Sequence, residues 1–244
     1  MNKDVIVEII ANDAHVPFHD KKTFSLFLDF LKMKKPDRVY LNGDWGDCYA
    51  ISRFDKDPER VLKYSLKNEA TEVHNTLVDI RNAAGWECKI VYIKGNHEAR
   101  LKKYLWKHPE MFNFTSIQEL FELKELDISY EKDCCKSGKF MIYHGTIVRQ
   151  DAGYTAKAEH LKNGGSGISG HTHRDGKYTK RNRAGHFVWY ENFCLCDLDA
   201  EYIDGVANWT QGWSVLHTVG SRQYVEQIPV INHKYIYGGK EIKV

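Results

Sequence analysis

The chain of 244 residues has no apolar run near the ~18–20 residues that a bilayer span requires, and its opening Met1-Asn2-Lys3-Asp4 carries no secretory signal. These absences argue against a membrane protein or membrane partner and lead us to expect a cytoplasmic one. Its six cysteines, Cys48, Cys88, Cys134, Cys135, Cys194 and Cys196, include no C-x-x-C pair, so a zinc ribbon or thioredoxin-like motif has no support. Reduced thiols are the expectation. Nor is there a charge excess: 35 Lys+Arg against 33 Asp+Glu leave +2, so only local clusters can argue for nucleic acid. No internal repeat, low-complexity tract or linker divides the sequence. A chain of this length buries a full core without disulfides or a structural metal, and we read 1–244 as one domain.

What is present is an ordinary globular balance, 42% hydrophobic and 28% charged, with 12 histidines as the one oddity. Val5–Ile10 reads as a strand, Thr23–Lys32 as a helix stopped by Pro36, and Arg38–Leu41 as a second strand. Leu62, Leu66, Ala70, Val73, Leu77 and Ile80 recur at helical spacing, which predicts one long helix from Pro58 to Gly85. Lys89–Ile93 is a third strand, and alternation of this kind implies βαβ units and a largely parallel sheet. Residues 97–133 look helical, with a cap-like segment at about 99–138. Lys139–Tyr143 returns to strand, and from Ile168 onward short strands and turns follow, at Lys177–Lys180, Phe187–Tyr190, Trp213–Thr218 and Tyr224–Ile228.

Each strand end delivers chemistry. The first runs into Asp13-Ala14-His15, the second into Gly43-Asp44-Trp45-Gly46-Asp47, and the third into Gly95-Asn96-His97-Glu98. The fourth ends at His144-Gly145, and the strand near Ile168 at Gly170-His171-Thr172-His173. Ligands of open α/β sheets bind beyond the carboxyl ends of the strands, so five such loops can converge. Imidazole and carboxylate suit Mn, Fe, Zn or Ni, and a carboxylate can bridge two ions. Any one of these matches arises by chance; five in order after five strands do not.

This order resembles the calcineurin-like metallophosphoesterase superfamily, whose signature is D-x-H, G-D-x-x-D, G-N-H-E/D, H and G-H-x-H. The resemblance spans residues 13–173 and implies a four-layer α/β/β/α sandwich around two divalent metal ions, with Mn the first choice. It implies one ion on Asp13, His15, Asp44 and His173, and another on Asp44, Asn96, His144 and His171, with Asp44 bridging. His97 then resembles the catalytic histidine and Asp47 the carboxylate that orients it, while Glu98 is left to stabilise a helix start. The implied reaction is hydrolysis of a phosphoester by a bridging hydroxide, with His97 protonating the leaving oxygen.

Asp47 is followed by Cys48-Tyr49, whereas the superfamily's protein phosphatases carry Arg-Gly there. Tyr49 is also misplaced for the tyrosine of purple acid phosphatases. The runs Ser52–Pro58, Gly95–Leu101 and Gly167–Arg174 look like bacteriophage-encoded members, which implies action in the host cytoplasm. We expect a phosphodiester of a nucleotide or nucleic acid as substrate. A phosphomonoesterase is the nearest rival, and a catalytically silent metal-dependent binding protein the more distant one. Arg174, Arg100 and Asn96 are the candidate substrate contacts. Lys177, Lys180, Arg181 and Arg183, with Tyr178 among them, either track a nucleic-acid backbone or form a solvated hairpin. Lys103 and Lys107 likewise share a helix face with Arg100, and the segment 108–133 is expected to wall the cleft. The other histidines, Trp209 and Trp213, and the pair Cys194 and Cys196 read as packing residues.

Overall fold

Ile9 and Ile10 are neighbours in sequence yet belong to two different hydrophobic cores, because successive side chains of a strand point to opposite faces of its sheet. The computed structural model describes residues 5–53, 56–199 and 206–243; Phe54 and Asp55 of the phage-like run 52–58 fall outside them. The chain runs β1 (Ile6–Ala11), α1 (Lys21–Lys34), β2 (Arg38–Asn42), α2 (Pro58–Lys63), α3 (Leu66–Ala84), β3 (Lys89–Ile93) and α4 (Glu98–Lys107). It continues through α5 (Ile117–Leu120), β4 (Ile128–Glu131), β5 (Cys135–Ser137), β6 (Phe140–Tyr143), α6 (Tyr154–Asn163) and β7 (Ser166–Ser169). The remaining strands are β8 (Gly176–Asn182), β9 (Gly185–Glu191), β10 (Gln211–Val219), β11 (Arg222–Val230), β12 (Lys234–Tyr237) and β13 (Lys240–Lys243).

One six-stranded sheet has the order β11-β10-β1-β2-β3-β4 and a five-stranded sheet the order β5-β6-β7-β9-β8. β1 through β4 are parallel, and so are β6, β7 and β9, while the later strands add antiparallel edges. Ile9, Val39, Leu41 and Ile90 pack under α1 and α3. On the other face Ile10, Tyr40, Ile93 and Leu216 meet Phe140, Ile142, Ile168 and Tyr190 of the second sheet. Trp189 and Tyr143 then pack outward against Ala156 of α6. These layers are the expected α/β/β/α sandwich.

Three differences from the sequence reading have physical causes. The long helix is two helices: Asp57 caps α2, Tyr64 ends it, and Ser65 opens α3 by accepting from Asn68 N at 3.3 Å. Residues 97–133 are not continuously helical, because 128–131 join the first sheet beside β3. The helix α6 escapes hydrophobic periodicity because its buried face carries Thr155, Glu159 and His160 beside Ala156. Its start is held from a distance by Glu191, which accepts from Gly153 N at 2.6 Å and Ala156 N at 3.0 Å.

Arg81 of α3 is 1% exposed and holds the chain where it enters β3 and β4. Its guanidinium donates to the carbonyls of Leu126 at 2.9 Å, Gly85 at 3.0 Å, Cys88 at 2.7 Å and Asp127 at 2.9 Å. Arg81→Met keeps most of the volume but strands those acceptors. We expect it to lower unfolding stability by about 3 kcal/mol, read as a lower urea midpoint at unchanged slope; a shift within ±0.5 kcal/mol would contradict this role.

Candidate metal centre

All five predicted loops meet at one place, across the carboxyl ends of β1, β2 and β3 in one sheet and of β6 and β7 in the other. Asp13, His15, Asp44, Asp47, His144 and His173 are buried, while Asn96, His97 and His171 are half-buried. Five of the predicted ligands leave their strands in the left-handed region: Asp13 (φ 53), His15 (φ 50), Asp44 (φ 50), His171 (φ 73) and His173 (φ 58). That conformation costs an L-residue about 1 kcal/mol or more, though Asp and His tolerate it better than most. The close approach between loops also explains Gly95, where a Cβ would overlap Asp44 Oδ1 and lie 2.8 Å from Glu98 Oε2.

The imidazoles are aimed from behind. His144 Nδ1 donates to the Asn42 carbonyl at 3.0 Å, His15 Nδ1 lies 3.1 Å from Asp47 Oδ2, and His173 Nδ1 lies 3.7 Å from Cys196 Sγ. Each Nε2 is thereby turned inward. His15 Nε2 and His173 Nε2 stand 3.0 Å apart, and His173 Nε2 is 3.1 Å from Asp13 Oδ1. His144 Nε2 sits 3.1 Å from Asp44 Oδ2 and 3.0 Å from Asn96 Oδ1. Asp13 Oδ1 is buried and receives no hydrogen bond, whereas Oδ2 accepts from His171 N at 2.9 Å. An orphaned carboxylate oxygen facing two imidazole nitrogens is a donor set shaped for a cation. Ligand atoms of Asp13, His15 and His173 gather within 4.8 Å of one another, and so do those of Asp44, His144 and His171.

The charges follow the same geometry. Burial works to raise the Asp13 carboxyl, yet His173, His144 and His15 hold it well below the usual carboxylate range. Asp44 and Asp47 are likewise held low against burial by His144 and His97, and by His15 and His97. Burial opposes charging of His144 and His15, but the carboxylates win: His144 is pushed up to about 10 and His15 well above its ordinary value. Burial prevails at His171 and His173, which are lowered.

Asp47 does more than the sequence reading asked. Its Oδ2 lies 3.1 Å from Nδ1 of both His15 and His97, so one carboxylate backs a predicted ligand and the predicted catalytic histidine. Arg100, expected to meet substrate, donates to Asp47 O at 2.8 Å and Oδ1 at 3.1 Å, and lies 2.9 Å from His97 Nε2. Arg174 is turned from the centre: it donates to the carbonyls of Asn208, Arg149 and Gln150. The basic hairpin starts near the site at Gly176, and its tip lies at the other end of β8, ~20 Å away. Of the segment 108–133, His108 lines the cleft, whereas Gln118, Glu119, 122–125 and 127–131 line a separate hollow with Arg38 and Lys136.

Two further carboxylates build the site: Glu98, expected only to stabilise a helix start, and Glu69, which carried no sequence signal. Glu98, 1% exposed, accepts from Asp44 N, Trp45 N, Gly46 N, Gly95 N and Tyr92 Oη, and so ties the second motif to the third. Its place in Gly95-Asn96-His97-Glu98, directly after the ligand run, was the available signal. Glu69, pushed up to about 8 by burial and then by Asp47, accepts from Cys48 N and Tyr49 N. Trp209 packs its edge on His173 with ring centroids 4.3 Å apart, while Trp213 is core.

No family model matches the chain. It is similar to the gene 54 protein of Mycobacterium phage L5, 23% identical over 249 residues that cover 95% of this chain and 96% of that protein. The gene 54 protein of Mycobacterium phage D29 is 25% identical over 246 residues, with the same coverage. Among solved structures it is similar to Vps29 from Chaetomium thermophilum, with a TM-score of 0.50, 8% identity and 97% of each chain covered. A single-mutant Vps29 from Entamoeba histolytica gives a TM-score of 0.50 and 14% identity, covering 97% of this chain and 96% of that one. At such identities the likeness is one of fold. The chain has the fold of the calcineurin-like metallophosphoesterase superfamily, and its sequence relatives are bacteriophage proteins.

Two outcomes follow from these charges. His144 contributes stability to the metal-free protein that is fully present below about pH 6.5 and lost as pH rises through about 10. A divalent ion must displace such protons, so Mn²⁺ binding should release protons at pH 7 and tighten as pH rises. Calorimetric titration in two buffers of different ionisation enthalpy reads the proton count, and zero release would contradict the charge state. Asp47→Asn should weaken Mn²⁺ binding by about 10–100-fold through His15; unaltered affinity would remove that role.

Proposed function

We propose that this chain is a metal-dependent phosphodiesterase acting on a nucleotide or nucleic acid. Two divalent ions would be held by Asp13, His15 and His173 on one side and Asn96, His144 and His171 on the other, with Asp44 bridging. The observation that carries this reading is that Asp44 belongs to both halves. Its carboxylate gathers with His144 and His171, and also with His15 and His97. Bound there, such ions polarise phosphoryl oxygens and activate water as a nucleophile near neutral pH. Imidazole, carboxylate and amide donors suit Mn, which we favour, and also Fe, Zn or Ni.

The chain's own residues supply the rest. Asp44 Oδ1 accepts from His97 N at 2.8 Å, which fixes the catalytic loop against the bridging carboxylate. His97 Nδ1 is held by Asp47, leaving Nε2 to deliver a proton to the leaving oxygen, a role worth typically ~10²–10⁴-fold in rate. Nε2 now lies 2.9 Å from an Arg100 nitrogen. A cleft of about 930 Å³ runs on beyond Asn96 and His171, giving room for a substituent beyond the phosphate; this supports a diester over a monoester. Both relatives being phage proteins supports action in the cytoplasm of an infected host.

With Mn²⁺ supplied and an EDTA blank, we expect turnover of bis-p-nitrophenyl phosphate to exceed that of p-nitrophenyl phosphate. A preference for the monoester would make the protein a phosphatase, and turnover of neither with metal bound would favour a binding protein. His97→Ala should lower kcat by about 10²–10⁴-fold with metal content retained. Asp44→Asn should lose both metal and activity, and full occupancy by metal analysis would contradict the bridging role.

A further inference from the structure

The cleft beside the metal-ligand cluster is distinguished by its charge. Asn96 and His171 stand at its inner end, and Arg53, Lys56, Lys103 and Lys107 line its walls. Among the described residues lining it there is no carboxylate. Arg100 also lines it but is held by Asp47 and His97, and Lys56 Nζ donates to the Ser52 carbonyl at 2.6 Å. Lys103 and Lys107 are exposed on α4, ~4.5 and ~10 Å along the helix axis from Arg100. Cations recurring at that interval fit a ligand with several phosphates in a row, not one.

Aromatic surface accompanies the charge. Trp106 lines the same cleft and is 61% exposed, with Lys102 Nζ 4.8 Å from its ring centroid. A tryptophan left that open is a stacking surface for a planar group. We propose that the cleft binds single-stranded nucleic acid, with successive phosphates along Lys103 and Lys107 and a base against Trp106. Arg53 and Lys56 line the same cleft. This rests on the phosphodiesterase reading and narrows it: the scissile bond belongs to a strand, not to a free mononucleotide. It also moves the nucleic-acid contact from the hairpin at 174–183 to α4, since the hairpin tip lies at the far end of β8.

The test is a length series of thymidine oligomers, from two to six residues, hydrolysed by the Mn²⁺-loaded enzyme beside bis-p-nitrophenyl phosphate. Fluorescence anisotropy of labelled dT6 over a range of KCl supplies a second readout that needs no turnover. We expect kcat/KM to rise at least ~10-fold from the two-residue to the four-residue oligomer, through KM, and then to level off. K103Q/K107Q should flatten that rise and reduce the slope of log affinity against log salt by about 1.4, two single-strand phosphate contacts. W106A should weaken dT6 binding by roughly 5-fold or more, the lower end of base stacking on an aromatic side chain. Turnover of bis-p-nitrophenyl phosphate with a flat length series would overturn the cleft assignment and leave the phosphodiesterase reading standing. So would tighter binding of duplex than of single strand. Salt-dependent dT6 binding that the variants lose, with no diester hydrolysed, would support the cleft and sink the phosphodiesterase reading.

Discussion

Three carboxylates, those of Asp13, Asp44 and Asp47, share one buried pocket with five imidazoles. The electrostatic balance of that pocket is what the surrounding structure is arranged to hold. Buried like charges are tolerated only when opposite charge lies within a few ångströms. Here it lies on His15 and His144, which the carboxylates keep protonated against burial, and a divalent cation can replace those protons. The unsatisfied Asp13 Oδ1 is the mark of a balance that hydrogen bonds alone do not complete.

Holding those groups together requires loops that turn sharply where strands end. The left-handed backbone at Asp13, His15, Asp44, His171 and His173 is the local cost, and the fold offsets it with ties between loops that are remote in sequence. Glu98 gathers the amides of the second and third motifs, and Glu191 joins the start of α6 to Thr172, between the two histidines of the last motif. Asn192 donates to Asn12 Oδ1 and accepts from Ser214, so a buried polar network braces the first ligand loop between the two sheets. Each tie satisfies polar groups that would otherwise be stranded away from water. The carboxylates doing this are therefore buried because they carry these hydrogen bonds.

Fixed and open parts of the site divide along the same line. The inner residues are fixed by others: Asp47 holds His15, His97 and Arg100 at once. The cleft residues beyond them, Lys103, Trp106 and Lys107, are exposed. A braced inner cluster thus sits beside an open outer cleft.

By itself the sequence determined the strand ends and what they carry. Hydrophobic periodicity located β1, β2, β3 and β6, and glycine with Asp, Asn or His after each strand marked the loops that meet in the cluster, because both signals are local. The break at Tyr64-Ser65 and the helix α6 were less legible. A single serine cap decides the first, and the buried face of α6 is polar because other segments satisfy it: Tyr143 Oη donates to Glu159, Arg149 N donates to Thr155, and His160 Nδ1 lies 2.8 Å from the Gly165 carbonyl. Tertiary structure alone decided which cations face the cleft. Arg174 and Arg100 are adjacent to motifs in sequence, yet backbone carbonyls and Asp47 occupy them, while Lys103 and Lys107 share a cleft with Asn96 and His171. Sequence spacing fixes what a residue is next to along one element. What faces it across a cleft depends on how two sheets and their loops pack.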